Sequence, residues 1–234
     1  MLDPQIEKLL IVQDRDTTLQ KIEQELTRIP TERAKIEAAI SAEEANIEAA
    51  RRSLQAKEIE RKDLDNEVKS KESSLARFRT QQLEVKKNDE YKALSHQIEQ
   101  TETEIGSLEE HEIELMLEID VLKDSFAEAK ARIELRIVEQ RKEISLLSEK
   151  EVNLKQSVIT AKEALVVARE PVDGDYLGHY DRVSNMVKRA PYVVSLSGQK
   201  CDGCHLRVSN EVAKGARDSG EPHFCDQCAR MVYA

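Results

Sequence analysis

From Leu19 onward, apolar side chains recur every seven residues for many turns. One seam runs through Ile22, Ile29, Ile36, Ala50, Leu64, Phe78 and Val85, and the other through Leu19, Leu26, Ile40, Ile47, Leu54, Val68 and Leu75. A sustained seven-residue repeat gathers the apolar groups into a narrow stripe that only another helix covers well, so the pattern predicts a coiled coil. Polar residues interrupt the seams at Arg33, Glu43, Lys57, Arg61, Lys71 and Gln82. These points are expected to be wet or paired, and to fix the register of the two strands.

A second run begins at Leu94 and Ile98 and continues through Ile105, Leu108, Leu115, Ile119, Leu122, Phe126, Ala129 and Ile133. The spacing then slips by four to Ile137 before Ile144, Leu147, Leu154, Val158, Ala161 and Leu165 resume it. Such a stutter locally unwinds a supercoil. Pro30 lies inside the first run, where a missing backbone donor and a clash with the preceding turn predict a kink or short break at Ile29 to Thr31.

Charge indicates where the chain turns back. Residues 68–87 carry six basic groups and two acidic ones, whereas residues 88–112 carry eight acidic groups and the single cation Lys92. Reversal near Asn88 lays the basic end of one arm beside the acidic start of the next, and each end then suits its helix dipole. Asn88 or Asp89 can cap the second helix. The arms, about 4–87 and 89–170, match in length at roughly 120 Å each. In such a hairpin, much of the Lys69–Lys87 cluster faces carboxylates rather than nucleic acid.

Composition changes at Pro171. Six of the seven glycines and all four cysteines follow it, and the formal charge of -10 lies wholly on the part before it. A net-acidic helical segment is a poor nonspecific ligand for nucleic acid or anionic membrane. No apolar run reaches the length of a membrane span, and Met1-Leu2-Asp3-Pro4 does not open a signal peptide. The expectation is a cytoplasmic protein without membrane insertion, in a compartment where paired cysteines signal metal rather than disulfides. The predicted organisation is mainly α: a long antiparallel coiled-coil hairpin (1–170), a connector with a short helix and a strand (171–198), and a small β-containing zinc ribbon (199–234).

In the connector, Tyr176, Tyr180, Val183 and Val187 recur at helical spacing, and Pro191–Leu196 reads as a strand. Cys201-Asp-Gly-Cys204 and Cys225-Asp-Gln-Cys228, twenty residues apart, have the spacing of a four-cysteine zinc site. Two intervening residues let both sulfurs of one tight turn reach the same ion, and two such turns close a tetrahedron. One structural Zn2+ per chain is expected, with no coordination position left for an activated water. His205 and His223 are read as loop residues beside the site. Arg207, Lys214, Arg217 and Arg230 supply basic groups for a nucleic-acid or protein contact, balanced by Glu211, Asp218, Glu221 and Asp226. No phosphate-cradling glycine loop or nucleophile elbow is present, and the five histidines lack zinc-protease spacing, so the chain is read as non-enzymatic.

Two segments carry a family resemblance. Lys87-Asn88-Asp89-Glu90-Tyr91-Lys92-Ala93-Leu94 is similar to an Asn-x-Glu-Tyr-x-Ala-Leu segment of bacterial coiled-coil proteins that end in a four-cysteine zinc ribbon, a domain of unknown function. Cys201–His205 and Cys225–Tyr233 resemble the ribbon of the same family, except that Ala229 stands where the family has glycine. That knuckle must therefore avoid a left-handed conformation or tolerate a strained one. The resemblance spans essentially the whole chain. It implies a hairpin with the ribbon near its open end and a regulatory role linked to an enhancer-dependent sigma factor, to flagellar or secretion regulation, or to RNA binding.

The leading expectation is an adaptor whose coiled coil binds a protein partner while the ribbon adds a protein, RNA or DNA contact. Lys86, Lys87, Asn88, Glu90 and Tyr91 at the turn are candidate contacts, and association of two hairpins stays open. The alternatives are a structural spacer and a polymerase-channel hairpin with Asp89 and Glu90 holding a magnesium ion at its tip.

Overall fold

The computed structural model describes residues 2–217 and 220–234. Two long helices, α1 (Pro4–Glu84) and α2 (Asn88–Arg169), pack together as the hairpin, and the turn falls where the charges reverse. A shorter helix α3 (Gly174–Met186) follows, then strands β1 (Val193–Ser197) and β2 (Lys200–Cys201), helix α4 (Asn210–Gly215), and strands β3 (His223–Phe224) and β4 (Met231–Tyr233). No helix among the described residues is long and apolar enough to cross a membrane. The chain divides into two compact units, one formed by Lys35–Glu143 and the other by Met1–Ala34 with Ile144–Ala234.

In the unit of Lys35–Glu143 the helices bury Ile40 and Val68 of α1 and Ile105, Leu115, Ile119 and Ile137 of α2. Polar seam positions pair across the arms. Lys57 reaches Glu118 at 2.7 Å, Lys71 reaches Glu104 at 2.6 Å, Glu43 meets Arg136 at 3.4 Å, and Gln82 donates to Ser95 at 2.8 Å. Arg79 likewise engages Glu102, so part of the basic end of α1 pairs with the acidic start of α2, while Lys69 pairs with Asp65 of its own helix. Each exposed bridge contributes little to stability. Their value is in register, because a slip of one turn unpairs several of them together. Lys87, rather than Asn88 or Asp89, precedes the first helical residue, and its carbonyl accepts the Tyr91 amide at 3.0 Å.

In the second unit the same rule holds. Arg33 donates to Ser148 at 2.8 Å and reaches Glu151 at 3.3 Å. Helix α1 runs through Pro30, an exposed position next to fully packed Ile29, without a break.

The first turns of α1 leave the coiled-coil seam for a different core. Ile6, Leu9 and Val12 pack with Val172, with Tyr176, Tyr180 and Val183 of α3, and with Tyr192, Val193 and Met231 of the sheet. Asp173 caps α3, its side chain accepting from the Asp175 amide at 2.9 Å. Gln13 bonds to the start of β1: its side-chain oxygen accepts the amides of Tyr192 and Val193 at 2.6 Å each, and its nitrogen donates to the Val193 carbonyl at 3.0 Å.

Two tyrosines reach back to the start of the chain, Tyr176 to Asp3 just before α1 and Tyr180 to Asp16 within it, both at 2.9 Å. Burial, then the bond to Asp3, pushes the Tyr176 phenol up to about 12, and burial and the Asp16 carboxylate raise Tyr180 as well. A phenol with a raised folded pKa stabilises the fold fully below its unfolded value near 10 and loses that contribution as pH climbs toward the folded value. Docking of α3 should therefore hold to about pH 10 and weaken between 10 and 12. Phenolate absorbance followed against pH checks this; ionisation of both tyrosines near 10 with the fold intact would contradict it.

Candidate metal centre

The four strands form one sheet in the order β2-β1-β4-β3. Its centre is a parallel pair, β1 with β4, in the register Val193↔Met231, Val194↔Val232 and Ser195↔Tyr233. β2 and β3 flank it antiparallel, so each cysteine pair follows or interrupts an outer hairpin. Beneath the cysteines lies a second small core of Val194, Leu196, Val208, Ala213 and Val232. Ser209 caps α4 by accepting the Val212 amide, which fixes the crossing between the two cysteine turns.

The two cysteine turns share one backbone design. In the first, the Cys201 amide donates to the Leu206 carbonyl at 3.0 Å and the His205 amide to the Cys201 carbonyl at 2.7 Å. In the second, the Cys225 amide donates to Arg230 and the Ala229 amide to Cys225, both at 2.8 Å. The residue after each second cysteine is left-handed, with φ 62° at His205 and 61° at Ala229. Ala229 thus adopts the strained conformation rather than avoiding it. A side chain in this region costs about 1–2 kcal/mol, offset by the chain entropy that glycine adds to the unfolded state. Ala229→Gly should therefore stabilise the module by about 0.5–1 kcal/mol, measurable as a higher denaturation midpoint at unchanged metal content.

The geometry brings all four predicted ligands together. The sulfurs of Cys201, Cys204, Cys225 and Cys228 lie within 4.8 Å of one another, and no histidine or carboxylate joins the cluster among the described residues. Cys201 and Cys228 are 3.9 Å apart, Cys204 and Cys225 3.8 Å. A tetrahedral ion with metal–sulfur bonds of about 2.3 Å requires edges of about 3.8 Å. These separations fit that figure and are far too long for disulfides.

Burial raises the Cys201 and Cys225 thiols. At Cys228 burial acts the same way, but hydrogen bonds from the Arg230 amide and side chain together with those of Cys204 and Cys225 outweigh it and lower the thiol. A cation in the tetrahedron would stabilise the thiolate form of all four. Similarity to solved structures is of the same fold.

At 20% identity, with a TM-score of 0.82, the chain resembles CT398 from Chlamydia trachomatis, over 98% of this chain and 97% of that one. HP0958 from Helicobacter pylori CCUG 17874 aligns at 16% identity and TM-score 0.55 over 100% of this chain and 99% of that one. A protein from Mycobacterium smegmatis aligns at 19% identity and TM-score 0.53, with the same coverage. No protein family model matches the sequence, and no curated protein matches it.

The remaining candidate contacts are distributed differently from the cysteines. Arg230 is built into the module: its guanidinium donates to the carbonyls of Pro191 at 2.8 Å and Arg189 at 3.1 Å, and its chain lies over Gly203, where a Cβ would meet it at 2.5 Å. Arg207 is exposed and held by Gln199. Lys214 and Arg217 are exposed at the end of α4, while His223 packs its ring onto Gly215. In the hairpin turn, Lys86, Asn88 and Tyr91 are exposed, and Lys87 pairs with Glu90 at 3.2 Å. Sequence reading missed Gln13, Asp3 and Asp16, which tie α1 to the cysteine-bearing end. The available signal was a phase break: extended back from Leu19 and Ile22, the seams keep Val12 but otherwise land on Arg15, Lys8 and Gln5, while Ile6 and Leu9 fall outside them.

Proposed function

We propose that this protein is a non-enzymatic cytoplasmic adaptor. Its hairpin presents an extended surface to a protein partner, and its four-cysteine module, closed around one structural zinc ion, offers a second contact to protein or nucleic acid. The observation that carries this reading is the cysteine cluster itself. Four sulfurs within 4.8 Å of one another, two pairs of them 3.8 and 3.9 Å apart, can fill every position of a zinc ion, which would leave none for an activated water or a substrate. The ion would then hold the two cysteine turns and α4 in place, and the surface they display would do the work.

The resemblance to bacterial coiled-coil proteins with a zinc ribbon directs the search for a partner toward an enhancer-dependent sigma factor or a secretion or flagellar component. RNA is the nucleic acid that the same resemblance favours. The magnesium-tip alternative is weakened by the Lys87–Glu90 pair, which occupies one of its two carboxylates. Crosslinking in cells followed by mass spectrometry tests the adaptor reading. Links to a transcription or secretion component are expected, and recovery of none would count decisively against it.

A further inference from the structure

Among the described residues, thirteen of the eighteen exposed large hydrophobic side chains lie on α2 and three on α1. They are concentrated most tightly on three turns of α2 within the Lys35–Glu143 unit. Ile113, Leu117 and Val121 follow one another at four-residue steps and are 59%, 64% and 70% exposed, with Met116 beside them at 42%. Leu115 and Ile119 of the same turns are both 3% exposed in the seam. At 100° per residue the exposed line lies on the side of the helix away from α1, so α2 is apolar on both faces here. A two-helix seam needs only one of them.

The charge that α2 places along this second face is mostly acidic, with Arg61 of α1 and Lys123 beside Met116 and Asp120 at its edge. Glu110, Glu114, Asp120 and Asp124 flank the apolar line, all exposed and none in an ion pair among the described residues. The only lysine or arginine between residues 109 and 128 is Lys123, which Glu58 holds at 2.8 Å. Such a rim repels nucleic acid and anionic lipid. It also repels a second copy of itself, since two acidic rims would meet.

We infer that the Ile113–Val121 face of α2 is the docking site for a basic amphipathic helix of a protein partner. Residues four apart form a ridge that packs into the groove of a facing helix, and lysines or arginines beside the partner's apolar stripe would meet the carboxylates. The inference rests on the adaptor reading and specifies which part of the hairpin binds and what chemistry it selects.

The test uses the full-length, metal-loaded protein and a labelled eighteen-residue peptide of leucine, alanine and lysine, with leucines spaced for one helical face. A scrambled peptide of identical composition is the control. Fluorescence anisotropy should show saturable one-to-one binding, weaker by ten-fold or more for the scrambled peptide and for Leu117→Glu/Val121→Glu. Glu110→Lys/Glu114→Lys should lose a similar factor at low salt and much less at high salt, where charges are screened. These positions are exposed, so unchanged thermal melting is the check on folding, with Leu117→Ser/Val121→Ser as the milder pair. Equal binding of both peptides, equal binding by the variants, or a dimer that Leu117→Glu dissociates would overturn the inference. Failure of the wider reading looks different: crosslinking in cells then recovers no partner from either the wild type or the variants. A partner retained equally by both would leave the adaptor standing and remove this site.

Discussion

Cys225→Ser is expected to unfold the cysteine-bearing module while leaving most of the helix signal intact. Cys225 is 2% exposed and contributes to the small core beneath the four-cysteine cluster as well as to the cluster itself. A serine oxygen is protonated at neutral pH and cannot replace a thiolate as the fourth ligand. Structural zinc sites contribute on the order of 10 kcal/mol to small modules, comparable to the whole stability of a domain. The strands here are two to five residues long and cannot persist on backbone pairing alone. Elemental analysis should find about one zinc per wild-type chain and much less in the variant. Hydrogen exchange should lose protection across 193–234, whereas far-ultraviolet circular dichroism falls little, because α1 and α2 span 81 and 82 residues. A chelator should reproduce the effect in the wild type. A metal-free module that stays protected would overturn the assignment.

Much of this architecture is legible in the sequence because its determinants are local or periodic. The periodicity from Leu19 onward, the charge reversal near Asn88 and the break at Pro171 together suggest arms at about 4–87 and 89–170, and the helices run Pro4–Glu84 and Asn88–Arg169. The charge reversal near Asn88 corresponds to the pairs Lys71–Glu104 and Arg79–Glu102. The slip from Ile133 to Ile137 is visible too, with Ile137 buried and Ile133 only partly so. Paired cysteines announce themselves because a metal accepts few residue types at few spacings. What periodicity cannot supply is long-range pairing between unlike elements. Nothing in Val193–Ser197 indicates that its neighbour is the parallel strand Met231–Tyr233, nor that Gln13, some 180 residues away, bonds to its first residue. Pro30 illustrates a different limit. A proline's cost depends on which side of the helix it occupies, and here that side is exposed.

The shared core also fixes how the module is attached. Tyr180→Ala should loosen α3 and the sheet from the start of α1, at a cost of about 3–5 kcal/mol. Tyr180 is 1% exposed, meets Tyr192 edge-on with ring centroids 5.8 Å apart, and bonds to Asp16 through its hydroxyl. Truncation removes the ring, opens a cavity among Leu9, Val12 and Val183, and leaves Asp16 without its donor. Tyr180→Phe separates these effects: it keeps the ring and loses only the hydrogen bond, so about 1–2 kcal/mol is expected. The metal should stay bound in both variants, because the core under the cysteines is a separate cluster. Limited proteolysis should then cut near Pro171 and Val172 in Tyr180→Ala far faster than in the wild type, with zinc content unchanged. Equal cleavage rates would mean that the tyrosine core does not hold the module to the helices. Loss of zinc with docking would mean instead that the two cores fold as one.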